Sequence, residues 1–189
     1  IYGSRARGTH RPESDADVQA SVYWLARALE AGADPVHAAR RLVAVAAEDI
    51  GLADPMALQV AVAALHALQF LGLPEGRLPL CEAVVYLAAA PKSNAVVMAI
   101  TAAAAAARDG TQHPVPLHLR NATSELAKEL GHGQGYRYAH DAAQGVARME
   151  CLPPELRGTT FFAPGERGFE RKVAERMAEN DRLRGDGAR

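Results

Sequence analysis

The residues best suited to chemistry lie together between positions 114 and 141. Four of the seven histidines fall in or just before this stretch, and three glycines interrupt it. Its most distinctive run is Tyr136-Arg137-Tyr138, in which two aromatic rings flank a guanidinium. Aromatic rings stack on unpaired bases and a guanidinium neutralises a phosphate, so the run predicts a surface for single-stranded nucleic acid. The residues predicted to contact DNA are Lys92, Arg120, Lys128, Tyr136, Arg137 and Tyr138.

A purely structural interpretation of the same residues stays open. The two tyrosines could fill the edge of the core while Arg137 pairs with a carboxylate. Lys92, Arg120 and Lys128 could likewise be surface residues held in salt bridges. Tyrosine, arginine and lysine side chains occur both in structural contacts and in DNA contacts, so the sequence alone does not decide between the two interpretations.

Metal and nucleotide chemistry are poorly supported by the spacing. His113 with His118, and His132 with His140, are not four residues apart on a helix, and no CxxC or HExxH motif accompanies them. The glycines at 131–135 follow a predicted helix C-terminus, whose dipole repels phosphate, and no GxxxxGK[ST] loop is present. We therefore predict no catalytic residue, metal or cofactor in this segment. The enzymatic alternative is a metal-dependent hydrolase that uses His118, His132, His140 and Asp141.

Composition predicts a helical protein without a strong global charge. The chain has 189 residues, of which 49% are hydrophobic and only 5% aromatic, and alanine accounts for much of the difference. A net charge of −1 excludes a general attraction to nucleic acid or to an anionic membrane. The isolated Cys81 and Cys151 predict reduced thiols in a cytoplasmic protein. No uninterrupted apolar run reaches the roughly 18 residues of a membrane span, so we expect no membrane partner. The chain begins IYGSRARG without methionine, and we expect it to be a segment of a longer protein.

Capping residues and apolar spacing predict seven helices that position the polar stretch. We expect the first to start near Ser14 or Asp15, and the next two to start at Asp34-Pro35 and Asp54-Pro55. The others are expected over about 75–90, 94–108, from Asn121 or Thr123 to Gly131, and over about 166–184. The third helix should bury Leu58, Val62 and Leu65, and the fourth should bury Leu80, Val84 and Leu87. The predicted fold class is all-α, a compact set of packed antiparallel helices.

Several helices also look apolar on more than one face, which predicts a partner surface. In the second helix, Leu42 and Val45 lie beside the stripe that runs from Val36 to Val43. A protein-interaction module without DNA contact is therefore a further alternative.

Many ordered blocks of the sequence resemble one known family. They are YWLAR at 23–27, ARRL at 39–42, EDIGLADP at 48–55, AVVYL at 83–87, APKSN at 90–94, PVPLHLRN at 114–121, KELG at 128–131, GY at 135–136, YAHD at 138–141 and ERGFE at 166–170. Together they resemble the C-terminal half of the MgsA/RarA family of AAA+ ATPases, which includes the Werner helicase-interacting protein of eukaryotes. The similarity extends over about residues 15–177.

The resemblance implies a role that spacing does not reveal. It implies the end of the helical region that follows the motor at 14–50 and an all-α oligomerisation domain at 51–184 resembling a clamp-loader collar. The residues themselves predict a flexible lead-in at 1–13 and a disordered tail at 185–189. The resemblance also implies a homotetramer whose motor domain, outside this segment, binds ATP and Mg²⁺. The expected partners are DNA, single-stranded or at ends and forks, and the single-strand-binding protein. The expected setting is replication, recombination and repair in the nucleoid.

Overall fold

The computed structural model describes residues 17–109 and 113–185, and these residues form seven α-helices. The helices are α1 Val18–Glu30, α2 Pro35–Val45, α3 Met56–Leu71, α4 Arg77–Ala89, α5 Ala95–Arg108, α6 Glu125–Glu129 and α7 Glu170–Gly185. No strand occurs within these two ranges, which confirms the all-α prediction. None of the helices is both long and apolar enough to cross a membrane. The predicted lead-in at 1–13 and the tail residues 186–189 lie outside the described ranges.

The chain divides into two compact units. The first unit contains the described residues up to Ala99 together with Pro164–Arg171. The second unit contains Ile100–Ala163 and the described part of α7 from Lys172 onward. The domain boundary predicted between residues 50 and 51 stays a prediction.

The core of the first unit is built from α1 to α4. Helix α3 packs against α4 and α2, and α1 packs against α4. Helix α4 buries Leu80, Val84 and Leu87, as its spacing predicts. Leu42 is also in this core, with 4% of its surface exposed. The prediction that Leu42 belongs to a surplus apolar face is therefore wrong.

The fully buried face of α3 is displaced from the predicted one, although the predicted Leu65 does pack against the core. Its buried residues are Ala57, Ala61, Ala64 and Leu68, whereas 44% of Leu58 is exposed. The sequence MALQVAVAALHALQFL is apolar on most sides, so periodicity does not identify the inward face. Small alanine side chains let the backbones of packed helices approach closely, and the alanine stripe therefore takes the inner position.

Three helix starts differ from the predicted positions. Helix α1 begins after Asp17, whose Oδ1 accepts a hydrogen bond from the Ala20 amide at 2.9 Å; Ser14 and Asp15 lie outside the described residues. Helix α6 is capped by Ser124, whose Oγ accepts from the Ala127 amide at 3.1 Å. Helix α7 begins at Glu170 rather than Glu166. Gly168 has a φ of +55°, a left-handed conformation that no α-helix contains.

The connection between α2 and α3 organises the rest of the first unit. Residues Ala46–Ile50 form a π-helical turn, and the carbonyl of Asp49 accepts a hydrogen bond from the Ser93 amide at 2.9 Å. The next turn, Gly51–Ala53, presents the Ala53 carbonyl to the Phe169 amide at 2.8 Å. Two hydrogen bonds thus fix the start of α5 and the approach to α7 onto this connection.

Candidate nucleic-acid interface

The polar stretch lies in the second unit and consists mainly of short turns around the five-residue helix α6. Residues Leu117–Leu119 form one 3₁₀ turn, and α6 is followed by Gly131, which has a φ of +79°. The Gly133 amide donates to the Leu117 carbonyl at 2.9 Å and ties the glycine-rich loop to that 3₁₀ turn. The Tyr136 amide then donates to the Gly133 carbonyl at 3.1 Å. This backbone network sets where Tyr136 and the residues after it lie.

A groove of about 510 Å³ runs beside Tyr136, Arg137 and Tyr138. Its other lining residues are Asp141, Ala142, Val146, Ala147, Arg148 and Leu183. Tyr136 is 51% exposed and Tyr138 is 55% exposed. Two half-exposed phenol rings in such a groove are suited to stacking on a flat ring.

Two guanidinium groups and one carboxylate give the groove its charge. Arg137 and Asp141 are exposed, and neither forms an ion pair with another described residue. Arg148 donates from Nε to the Leu183 carbonyl at 2.8 Å, in the last turns of α7. That bond uses one of its five N–H donors, which leaves four to meet an anion. The groove therefore offers cationic donors beside aromatic rings, the combination that holds single-stranded nucleic acid.

The structural interpretation of the Tyr136–Tyr138 run does not match this geometry. The two tyrosines do not fill a core edge, since each is more than half exposed. Arg137 has no carboxylate partner among the described residues. The predicted DNA contacts at these three positions are consistent with the groove, and whether DNA binds them stays a prediction.

The other three predicted DNA contacts lie elsewhere or are engaged. Lys92 belongs to the first unit, where its Nζ donates to the carbonyls of Leu87 and Ala90, each at 2.7 Å. Arg120 is half-buried and donates from Nε to the Val115 carbonyl at 2.7 Å. Lys128 pairs with Glu125 at 2.7 Å on α6. None of these three residues lines the groove.

The sequence does not identify Arg148 or Asp141 as neighbours of the two tyrosines in the groove. Arg148 follows the predicted polar stretch and has no aromatic neighbour in sequence that would draw attention to it. Its position depends on the Leu183 carbonyl, 35 residues away in the chain. In the sequence, Asp141 is a candidate only for the metal-dependent hydrolase alternative. A local pattern does not reveal a contact made across such a distance.

Glu150 anchors the segment that follows the groove. Its Oε1 accepts from the amides of Leu152 and Cys151, both at 3.0 Å. The Leu152 amide, with further help from the Cys151 amide and Arg157, holds the pKa of this carboxyl below its usual range despite partial desolvation. The Glu150 carbonyl also contacts Nε2 of His118 at 2.8 Å. This histidine therefore has a structural partner in the second unit.

The hydrolase alternative gains no support from the geometry. Among the described residues, no group of three His, Cys, Asp or Glu side chains is arranged to hold a metal ion. His140 instead lies against Tyr138, with ring centroids 4.9 Å apart.

Comparison with known proteins places this fold in a family. A family described as MgsA AAA+ ATPase C terminal matches residues 15–181. The chain is 48% identical over 170 residues to replication-associated recombination protein A of Escherichia coli K12, covering 89% of this chain and 38% of that protein. Proteins of the same name from Haemophilus influenzae and Bacillus subtilis are 46% and 40% identical, over 93% and 80% of this chain.

The chain thus spans between a third and two fifths of the length of these relatives, 36–39% of each. The match extends over both compact units and includes the connection between α2 and α3 and every groove residue except Leu183. A family match over residues 15–181 shows that the chain belongs to the MgsA AAA+ ATPase C-terminal family.

Proposed function

We propose that this chain is the part of an AAA+ ATPase that holds single-stranded DNA in the groove at Tyr136, Arg137 and Tyr138. The supporting observation is the groove itself, where two half-exposed tyrosines and two arginines converge within the second unit. Stacking of bases on aromatic side chains contributes about 1–3 kcal/mol per base and tolerates any sequence. The arginines add contacts to phosphate that weaken as salt increases.

Fluorescence anisotropy with a labelled oligothymidylate of about 16 nucleotides tests the proposal, because this length covers the site size of common single-strand-binding folds. The Tyr136→Ala variant should lose about 1–3 kcal/mol of binding free energy. The Arg137→Ala variant should lower the slope of log affinity against log salt concentration by about 0.7, the value for one phosphate contact on a single strand.

Matched controls come from the first unit. Tyr23 is 59% exposed, and Arg40 is exposed on α2, so Tyr23→Ala and Arg40→Ala remove the same side-chain types away from the groove. Both controls should bind like the unaltered chain. If the controls lose binding as much as the groove variants do, the groove is not the DNA site. The same conclusion follows if all four variants bind like the unaltered chain. Absence of binding by the unaltered chain would favour a protein-interaction module without DNA contact.

A second function, self-association, is favoured by the exposed apolar side chains. Phe70, at the end of α3, is 90% exposed, and Leu78, in the first turn of α4, is 75% exposed. Helix α5 buries none of its side chains and carries Met98 and Ile100, which are 60% and 65% exposed. Apolar surface of this kind commonly marks a protein–protein contact. We propose that it joins copies of the parent protein into the homotetramer that the family resemblance implies.

Light scattering coupled to size-exclusion chromatography tests the association. The unaltered chain should elute as a tetramer, and Phe70→Ser should shift it toward smaller species because it removes a large exposed apolar ring. Gln69→Ser, at the neighbouring exposed position of α3, should leave the tetramer intact. A monomeric unaltered chain at its highest soluble concentration would exclude this role.

The remaining parts of the proposal concern the whole parent protein. We propose that its motor, outside this segment, binds ATP and Mg²⁺ and that it acts in replication-associated recombination and repair in the cytoplasm. The names of the E. coli and B. subtilis relatives support that process. Association with the single-strand-binding protein is a further expectation of the family resemblance.

A further inference from the structure

A carboxylate stands beside the tyrosines of the groove. Residues Ala139–Asp141 form a single 3₁₀ turn that begins after Tyr138, and the Asp141 amide donates to the Tyr138 carbonyl at 3.1 Å. Tyr138 is the extended residue that precedes this turn, and Asp141 is the last residue in it. Both residues line the groove.

The described residues give this carboxylate no structural role. Asp141 is exposed, and no arginine, lysine or histidine of the described ranges lies within ion-pair distance of it. A negative charge weakens binding to a phosphate backbone. Its presence in a groove with Arg137 and Arg148 is better explained if it contacts a hydrogen-bond donor of the ligand.

We propose that the groove prefers an unpaired guanine, whose N1–H and N2–H groups donate together to the Asp141 carboxylate while the base stacks on Tyr138. This inference rests on the proposed binding of single-stranded DNA by the same groove. Unpaired bases are commonly stacked on aromatic side chains and read along their Watson–Crick edges. Guanine is the one standard base whose Watson–Crick edge presents two adjacent donors, which match the two oxygens of a carboxylate.

The other bases fit the carboxylate less well. Adenine and cytosine each offer one amino group beside a ring nitrogen acceptor. Thymine offers one N–H between two carbonyl oxygens, and both of these oxygens repel a carboxylate. The expected order of affinity is therefore guanine first, adenine and cytosine next, and thymine last.

Competition between labelled oligonucleotides tests the preference. The probes are oligothymidylates of one length with a single central dG, dI, dA, dC or dT, so no guanine quadruplex can form. The central dG should raise affinity about fivefold or more over dT, the low end of the discrimination given by a bidentate contact. Inosine, which lacks the N2 amino group, should lose most of that gain, and 7-deazaguanine, which keeps the Watson–Crick edge, should retain it.

Variants of Asp141 separate recognition from simple repulsion. Asp141→Ala should abolish the dG preference and bind the dT probe at least as tightly as the unaltered chain, while Asp141→Glu should keep part of the preference. Circular dichroism confirms that each variant is folded. A uniform gain of affinity for every probe in Asp141→Ala, with no dG preference in the unaltered chain, would overturn the inference.

The same experiment distinguishes this inference from the proposed function. Equal affinity for dG and dT probes, with binding still lost in Tyr136→Ala, overturns guanine recognition and leaves DNA binding by the groove intact. No binding that depends on Tyr136 overturns both.

Discussion

Replacing Gly168 by alanine should destabilise the first unit more than the same change at any open left-handed glycine. Gly168 has a φ of +55°, and a Cβ built there would overlap the carbonyl oxygen of Ala53 and come within 2.9 Å of its carbon. It would also lie 3.0 Å from Cγ of Pro91. The two backbones must separate, and the adjacent hydrogen bond from the Phe169 amide to the Ala53 carbonyl, 2.8 Å long, is then lost.

Gly32 provides the matched control. It has a φ of +82°, and a Cβ there would meet no atom within 4 Å. The left-handed backbone costs an alanine about 1–2 kcal/mol at either position. Only Gly168→Ala also breaks the Phe169–Ala53 bond, which leaves a buried carbonyl without its partner at a cost of about 1–3 kcal/mol. The two variants should therefore differ in unfolding free energy by about 1–3 kcal/mol.

Urea unfolding followed by circular dichroism measures this difference. The midpoint should fall further for Gly168→Ala than for Gly32→Ala, with the dependence on denaturant unchanged. Equal destabilisation of the two variants would refute the argument, because it would mean that the loop before α7 does not lie against the Ala53 turn.

Three further predictions concern single side chains. Lys92→Met should destabilise the chain by about 2 kcal/mol, because the charged amino group donates hydrogen bonds to carbonyls at the end of α4 and these bonds are lost. Thermal unfolding measures this loss of stability. A loss of DNA affinity without a loss of stability would instead make Lys92 a DNA contact. The hydroxyl of Tyr86 donates to Oδ2 of Asp54 at 2.7 Å, and this bond raises the pKa of Tyr86 above 10.0. Its stabilisation is complete below pH 10.0 and is lost as the pH rises through the raised pKa, so the difference in unfolding midpoint between the chain and Tyr86→Phe should shrink in alkali. The pKa of Glu150 is lowered from 4.5, mainly by the Leu152 amide, so its stabilisation is complete above pH 4.5 and is lost as the pH falls through the lowered value. Glu150→Gln should therefore be less stable than the unaltered chain at neutral pH and nearly equal to it in acid, and an equal gap at both pH values would contradict this.

Much of the fold follows from local sequence signals. Asp34-Pro35 opens α2 as predicted, because Asp34 caps the Val36 amide at 2.9 Å and proline fits the first helical position. Pro91 ends α4 because proline has no amide N–H to donate to the helix. The apolar stripe of α4 is also correct, since Leu80, Val84 and Leu87 are all buried.

The sequence-based predictions are wrong where several residues are equally good candidates for one position, or where contacts between distant parts of the chain determine the structure. Asn121, Thr123 and Ser124 are all acceptable N-caps, and the sequence does not rank them. Helix α3 has two apolar faces, and packing against α4 and α2 selects the alanine face. The π-helical turn at Ala46–Ile50 is accompanied by a hydrogen bond to Ser93, far along the chain.

The candidate site was predictable only in part. Tyr136-Arg137-Tyr138 stands out as a run of types suited to nucleic acid, and the structure places all three at one groove. The lining also includes Arg148 and Leu183, which no local pattern connects to the tyrosines. Long-range turns and the end of α7 bring these residues together, so only a three-dimensional structure identifies them as partners.

Photo-crosslinking tests the central claim most directly. A single-stranded oligonucleotide that carries 5-iodouracil reacts on irradiation with aromatic side chains against which the base lies, and mass spectrometry identifies the modified residue. The groove proposal predicts adducts on Tyr136 or Tyr138, reduced by competing unlabelled strand. Adducts confined to exposed aromatic residues of the first unit, such as Tyr23 and Trp24, would contradict it.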